Sequence, residues 1–103
     1  MTENELLKNV LAIAKMRGWL VFHALPAYKN ERWATHFNGD AGFPDLCLVH
    51  ATGGVCFAEL KAGRNKLTVA QMRWRRALLE ADYEHYIWYP EDMQAITDRL
   101  SNI

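Results

Sequence analysis

"GFPDLCLVHATGGVCFAELKAG", residues 42–63, holds two apolar runs around a glycine pair, with charges set where core residues would be expected. "DLCLVH" (45–50) and "VCFAELK" (55–61) have the β-branched and aromatic content of strands, and "ATGG" between them has the composition of a hairpin turn. Side chains alternate across a strand, so Glu59 and Lys61 share a face with Val55 and Phe57. Asp45 joins that face only if the antiparallel register pairs residues whose numbers sum to an even value. Val49 opposite Val55, around a three-residue loop, meets the condition. A regular four-residue loop would turn Asp45 to the other side unless a bulge intervened.

Before the hairpin, residues 2–17 read as a helix: Thr2 and Glu5 form a capping box, and Gly18 suits the left-handed position past the last turn. Leu7, Val10, Leu11 and Ala14 make its apolar stripe, which reaches Glu3 when extended back by one turn. "WLVFHA" (19–24) reads as a strand. Residues 25–44 have no clear period and read either as a functional loop or as a poorly signalled short element. They carry Lys29, Arg32, Trp33 and His36, groups suited to phosphate contacts and base stacking.

After the hairpin, residues 68–82 predict a second helix capped by Thr68. Val69, Met72, Leu78 and Leu79 supply its apolar surface, and Arg73, Arg75 and Arg76 reach solvent from adjoining faces. "EHYIWY" (84–89) is a further strand, and "PEDMQAITDRL" (90–100) a last helix with Met93, Ile96 and Leu100 on one side. The order α-β-β-β-α-β-α predicts one α/β domain over residues 1–103, a mixed sheet covered by helices.

Half of the 103 residues are hydrophobic and 23% are charged, the profile of a folded chain. No apolar run approaches the roughly 20 residues of a membrane span. The acidic, polar start "MTENELLKNV" is not a secretory signal, so the expected location is the cytoplasm. Net charge is zero, but Lys61, Arg64, Lys66, Arg73, Arg75 and Arg76 form a run without an acid. That run is either a solvated helix face or a surface for a polyanion. Cys47, His50 and Cys56 invite a zinc reading, but no fourth ligand or paired-cysteine spacing accompanies them. Small buried hydrophobes are the simpler description of both cysteines.

Two carboxylates on one sheet face, joined by a third from a neighbouring helix, would make an anionic pocket that a hard divalent cation relieves. Lys61, further along the face from Glu59, could hold an attacking water or steady charge on a phosphate. The plainer alternative is a same-face ion pair between Glu59 and Lys61, with Asp45 ending a turn.

"RGWLVFH" (17–23), "GFPDLCLV" (42–49), "FAELKAG" (57–63), "LTVAQMRW" (67–74) and "YIWYPEDM" (86–93) together resemble a stand-alone VRR-NUC domain. That family is a branch of the PD-(D/E)xK nuclease superfamily, and the resemblance implies a restriction-endonuclease-like fold. It implies an endonuclease in which Asp45 and Glu59 hold Mg2+ or Mn2+, with the Leu60 carbonyl as a further ligand, while Lys61 assists hydrolysis. The family's first-helix acid matches Glu3, with Glu5 as second choice, and its second-helix glutamine matches Gln71. Thr68 and Gln71 also form a capping box, a role that does not exclude the other. Arg64, Lys66, Arg73, Arg75, Arg76, Lys29 and Arg32 would hold DNA phosphates. His23 could approach DNA or be an edge histidine.

Stand-alone relatives are similar to Holliday-junction resolvases and act on branched DNA as homodimers. "AYKNERWATHFNGDA" (27–41) departs from the family, so substrate preference is the least transferable feature. The competing class is a non-catalytic nucleic-acid-binding module of the same fold.

Overall fold

The hairpin forms in the register that the face argument requires, with Val49 opposite Val55 and Cys47 opposite Phe57 around the turn Ala51–Gly53. The computed structural model describes residues 1–24 and 37–103, together with the backbone of 27–29 and 32–34. Its helices are α1 (Glu3–Met16), α2 (Val69–Glu80) and α3 (Met93–Ser101), the last preceded by a single 3-10 turn at Pro90–Asp92. The strands are β1 (Leu20–His23), β2 (Ala27–Lys29), β3 (Arg32–Ala34), β4 (Leu46–His50), β5 (Gly54–Leu60) and β6 (Glu84–Trp88).

Four strands form a mixed sheet in the order β1-β4-β5-β6. The first three pair antiparallel, and β6 returns parallel to β5 after α2. A parallel return needs a crossover element, and α2 provides it. Strands β2 and β3 form a separate antiparallel pair, so residues 25–44 hold short strands rather than a continuous loop.

One face of the sheet carries the core. Leu46, Leu48, Cys56, Ala58 and Leu60 pack there against Leu6, Val10 and Ala14 of α1 and Ile96 and Leu100 of α3. Each fully buried leucine contributes about 1.5–3 kcal/mol. The stripe of α1 is centred on Leu6, Val10 and Ala14, with the expected Leu7 and Leu11 on its flank. Thr2 caps that helix as the sequence suggests: its hydroxyl accepts from Glu5 N at 3.1 Å while Glu5 Oε1 accepts from Thr2 N at 3.0 Å.

The other face is divided. Helix α2 covers the β6 side, and Leu20, Phe22 and Val49 on the β1 side stay exposed. Val69, Met72 and Leu79 of α2 are also exposed, contrary to their expected packing. The inward row is instead Gln71, Trp74, Arg75 and Leu78, a helical spacing that mixes polar and apolar groups.

The loop before Asp45 is set by Gly42. Its φ is +95°, and a Cβ there would overlap the Ala70 carbonyl and come within 2.7 Å of the Gln71 nitrogen. Only glycine lets this loop approach the first turn of α2 so closely. Gly42→Ala should therefore destabilise the fold by about 2 kcal/mol or more, read as a lower urea midpoint at unchanged m-value. An unchanged midpoint would show that the loop is not held against α2.

Candidate functional site

Asp45 stands one residue before β4, and extending the β4–β5 register by one step sets it opposite Glu59. Side chains close the ladder there. Asp45 N–H donates to Glu59 Oε1 at 3.1 Å, and Leu60 N–H donates to Asp45 Oδ2 at 2.8 Å. The two acids thus meet on the face opposite the core, each fixed by the other's strand. Asp45 is half-buried, and Glu59 is completely buried.

Burial pushes the Glu59 carboxyl up to about 8, with the neighbouring Asp45 charge as the next cause. The Lys61 ammonium pulls the other way. Lys61 itself follows the end of β5, with its N–H donating to the Trp88 carbonyl at 2.9 Å. The chain then turns through Arg64 and Lys66, both exposed, and Tyr89 OH pins the turn by donating to the Asn65 carbonyl at 2.6 Å.

His85 of β6 is a participant that the sequence reading passed over. It lies on the Glu59 face, opposite Phe57 across the parallel ladder, and its side chain is completely buried. Its Nε2 is 4.0 Å from Glu59 Oε2. Burial, and then the Arg75 guanidinium, hold its imidazole down at about 4. Burial thus favours the neutral form of both Glu59 and His85 over an ion pair. Alternation in "EHYIWY" does put His85 and Ile87 on one face, but nothing local says which strand lies alongside.

Several expected members stand elsewhere. Glu3 is exposed on α1, which packs on the core face, and Glu5 is engaged in the α1 cap. Among the described residues no three His, Cys, Asp or Glu side chains gather closely enough for one metal ion. The three-carboxylate pocket is thus reduced to Asp45 and Glu59. Leu60 turns its side chain to the core, leaving only backbone groups near the site. Gln71 fills the capping role: its Oε1 accepts from Thr68 N at 2.9 Å, and its own N–H donates to Thr68 Oγ1 at 3.2 Å.

Arg75 is not part of the exposed basic surface. It points inward and donates to His85, because it falls on the row of α2 that faces the sheet. Arg76 is solvent-exposed and pairs with Glu80 at 2.9 Å, and Arg73 is exposed. The side chains of Lys29 and Arg32, with Trp33 and His36, lie outside the described residues.

The zinc reading fails on geometry. Cys56 shares the core face with Leu48, whereas Cys47 pairs with Phe57 on the opposite face. His50 Nδ1 accepts the N–H groups of Thr52 and Gly53, which makes it a turn residue.

Beside Asp45, Phe22, Phe37, Phe43 and Trp74 line a groove of about 780 Å³. Phe43 holds the edge of Trp74 with ring centroids 5.0 Å apart, and Trp74 Nε1 donates to the Ala41 carbonyl at 3.0 Å. The chain matches no family model, and neither a curated protein nor a solved structure is found to be similar to it.

The two buried groups set opposite slopes of stability with pH. Glu59 keeps its proton to higher pH in the folded chain, so its contribution is full below 4.5 and is lost as pH rises to about 8. His85 contributes fully above 6.5 and loses that contribution as pH falls to about 4. The slopes oppose each other between 4.5 and 6.5, leaving a net fall between 6.5 and 8. Thermal unfolding without divalent metal should show Tm dropping over that upper window, and Glu59→Gln should flatten the drop. An equal drop in both proteins would contradict the assignment to Glu59.

Proposed function

We propose that this chain is a divalent-metal-dependent endonuclease hydrolysing phosphodiester bonds in DNA, with the restriction-endonuclease-like fold of the VRR-NUC domains. The observation that carries this reading is the meeting of Asp45 and Glu59 on one sheet face, with Lys61 two residues on from Glu59. The donor set fits Mg2+ or Mn2+: both side chains are hard oxygen donors, and they lie close enough on one face for each to accept a backbone N–H from the other's strand. Magnesium usually takes one or two carboxylates and keeps several waters, so a third acid is not required.

Asp45 and Glu59 would hold the cation, Glu59 giving up its proton, with the Leu60 carbonyl as a further ligand. When bound, the cation supplies Lewis acidity toward the phosphate and a water of lowered pKa. Lys61 orients the attacking water through its ammonium and steadies charge that develops on the phosphate. Arg64, Lys66, Arg73 and Arg76 hold flanking phosphates, all of them exposed along the path from Lys61 to the outer face of α2.

The aromatic groove next to Asp45 favours a substrate with unpaired bases near the cut, since bases stack on such rings. Branched DNA with single-stranded segments, such as flaps, supplies them, whereas a Holliday junction offers the ends of its paired arms at the crossover. One site per chain means that cutting two strands takes two copies or two visits, and a homodimer in the cytoplasm is the form proposed. Among the described residues no helix is long and apolar enough to cross a membrane.

Purified protein should nick branched DNA when magnesium is added. Lys61→Ala and Asp45→Asn should each slow single-turnover cleavage by about 100-fold or more while retaining wild-type circular dichroism. Cleavage undiminished in Lys61→Ala removes the lysine from the mechanism. A folded wild type that binds DNA but cuts neither branched nor linear substrates supports the non-catalytic binding module instead.

A further inference from the structure

Glu59 Oε2 and His85 Nε2 are buried, face each other at 4.0 Å and lack hydrogen-bond partners. That separation is too long for a hydrogen bond. Buried polar atoms are normally paired, and among the described residues Ser101 Oγ is the only other buried side-chain N or O atom without a partner. Two such atoms directed at each other are therefore a specific feature of this site.

The second ring nitrogen explains the arrangement. Arg75 NH1 lies 2.9 Å from His85 Nδ1 and also donates to the His85 carbonyl at 2.8 Å. A guanidinium offers only donors, so Nδ1 must accept, and the neutral ring carries its proton on Nε2. That proton is aimed at Glu59. The same bond argues against His85 as a metal ligand, because a free Nε2 lone pair would move the proton to Nδ1, against the Arg75 donor.

We propose that His85 is a positioning residue for Glu59: its Nε2–H, fixed by Arg75, orients the carboxyl so that Oε1 faces the Asp45 side. This deepens the nuclease reading and rests on it. Partners of this kind hold a liganding group in one orientation without touching the substrate. It also gives Arg75 a role other than phosphate binding.

Two measurements test this. In ¹⁵N-histidine-labelled protein without metal, long-range ¹H–¹⁵N spectra should show His85 as the Nε2–H tautomer, its signal assigned by its loss in His85→Gln. Magnesium should then move the Nε2-bound proton downfield. In parallel, His85→Leu should weaken magnesium binding and lower kcat by about 10- to 100-fold with KM for DNA unchanged. His85→Gln, whose amide can donate from the Nε2 position, should restore most of both. An Nδ1–H tautomer, or equal activity in the Leu and Gln variants, overturns the inference. Absence of cleavage by the wild type overturns the nuclease reading, while the tautomer still decides whether His85 presents a donor to Glu59.

Discussion

Asp45 and Glu59 are joined by an exchange of hydrogen bonds at the point where the β4–β5 ladder would otherwise end. Each acid accepts a backbone N–H from the strand opposite, at 3.1 and 2.8 Å, so their positions are set by the backbone itself. The exchange satisfies amide groups that would be left unpaired at a buried strand end. It also forces two carboxyls into proximity, Glu59 completely buried and Asp45 half-buried. Raised proton affinity at Glu59 is the electrostatic consequence.

Helix α2 completes the surroundings through three contacts of different kinds. Its first turn receives Gly42 at backbone distance, which fixes the loop leading into Asp45. Trp74 clamps the same loop by donating to the Asp40 and Ala41 carbonyls at 3.3 and 3.0 Å. Arg75 reaches past the helix to His85 and is absorbed into the interior, whereas Arg73 and Arg76 stay outside. Adjacent basic residues on a helix differ by about 100° in direction, so one charge run serves both structure and surface.

Apolar residues are consequently distributed against expectation. Val69, Met72 and Leu79 lie on the outer side of α2, because its inner row is given to Gln71, Trp74, Arg75 and Leu78. The core face, in contrast, is almost wholly aliphatic apart from Trp19 and Trp88. Cohesion is thus concentrated on the α1–α3 side, and polar chemistry on the α2 side.

The register that sets Asp45 beside Glu59 was left open by the sequence. By itself the sequence determined the hairpin, the three helices, the caps of α1 and α2 and the alternation that puts Glu59 and Lys61 on one face. Those features depend on neighbours within a few positions: Thr2 with Glu5, Thr68 with Gln71, and the period of two along each strand. The β2–β3 pair left no such signal, because strands of three residues are too short for periodicity to register. Tertiary structure alone decided that β6 lies beside β5, and hence that His85 faces Glu59. It also decided that α1 packs on the opposite face, away from both acids, which separates Glu3 from them. Long-range pairing and the choice of sheet face follow from burial summed over the whole chain, and no local window contains that sum.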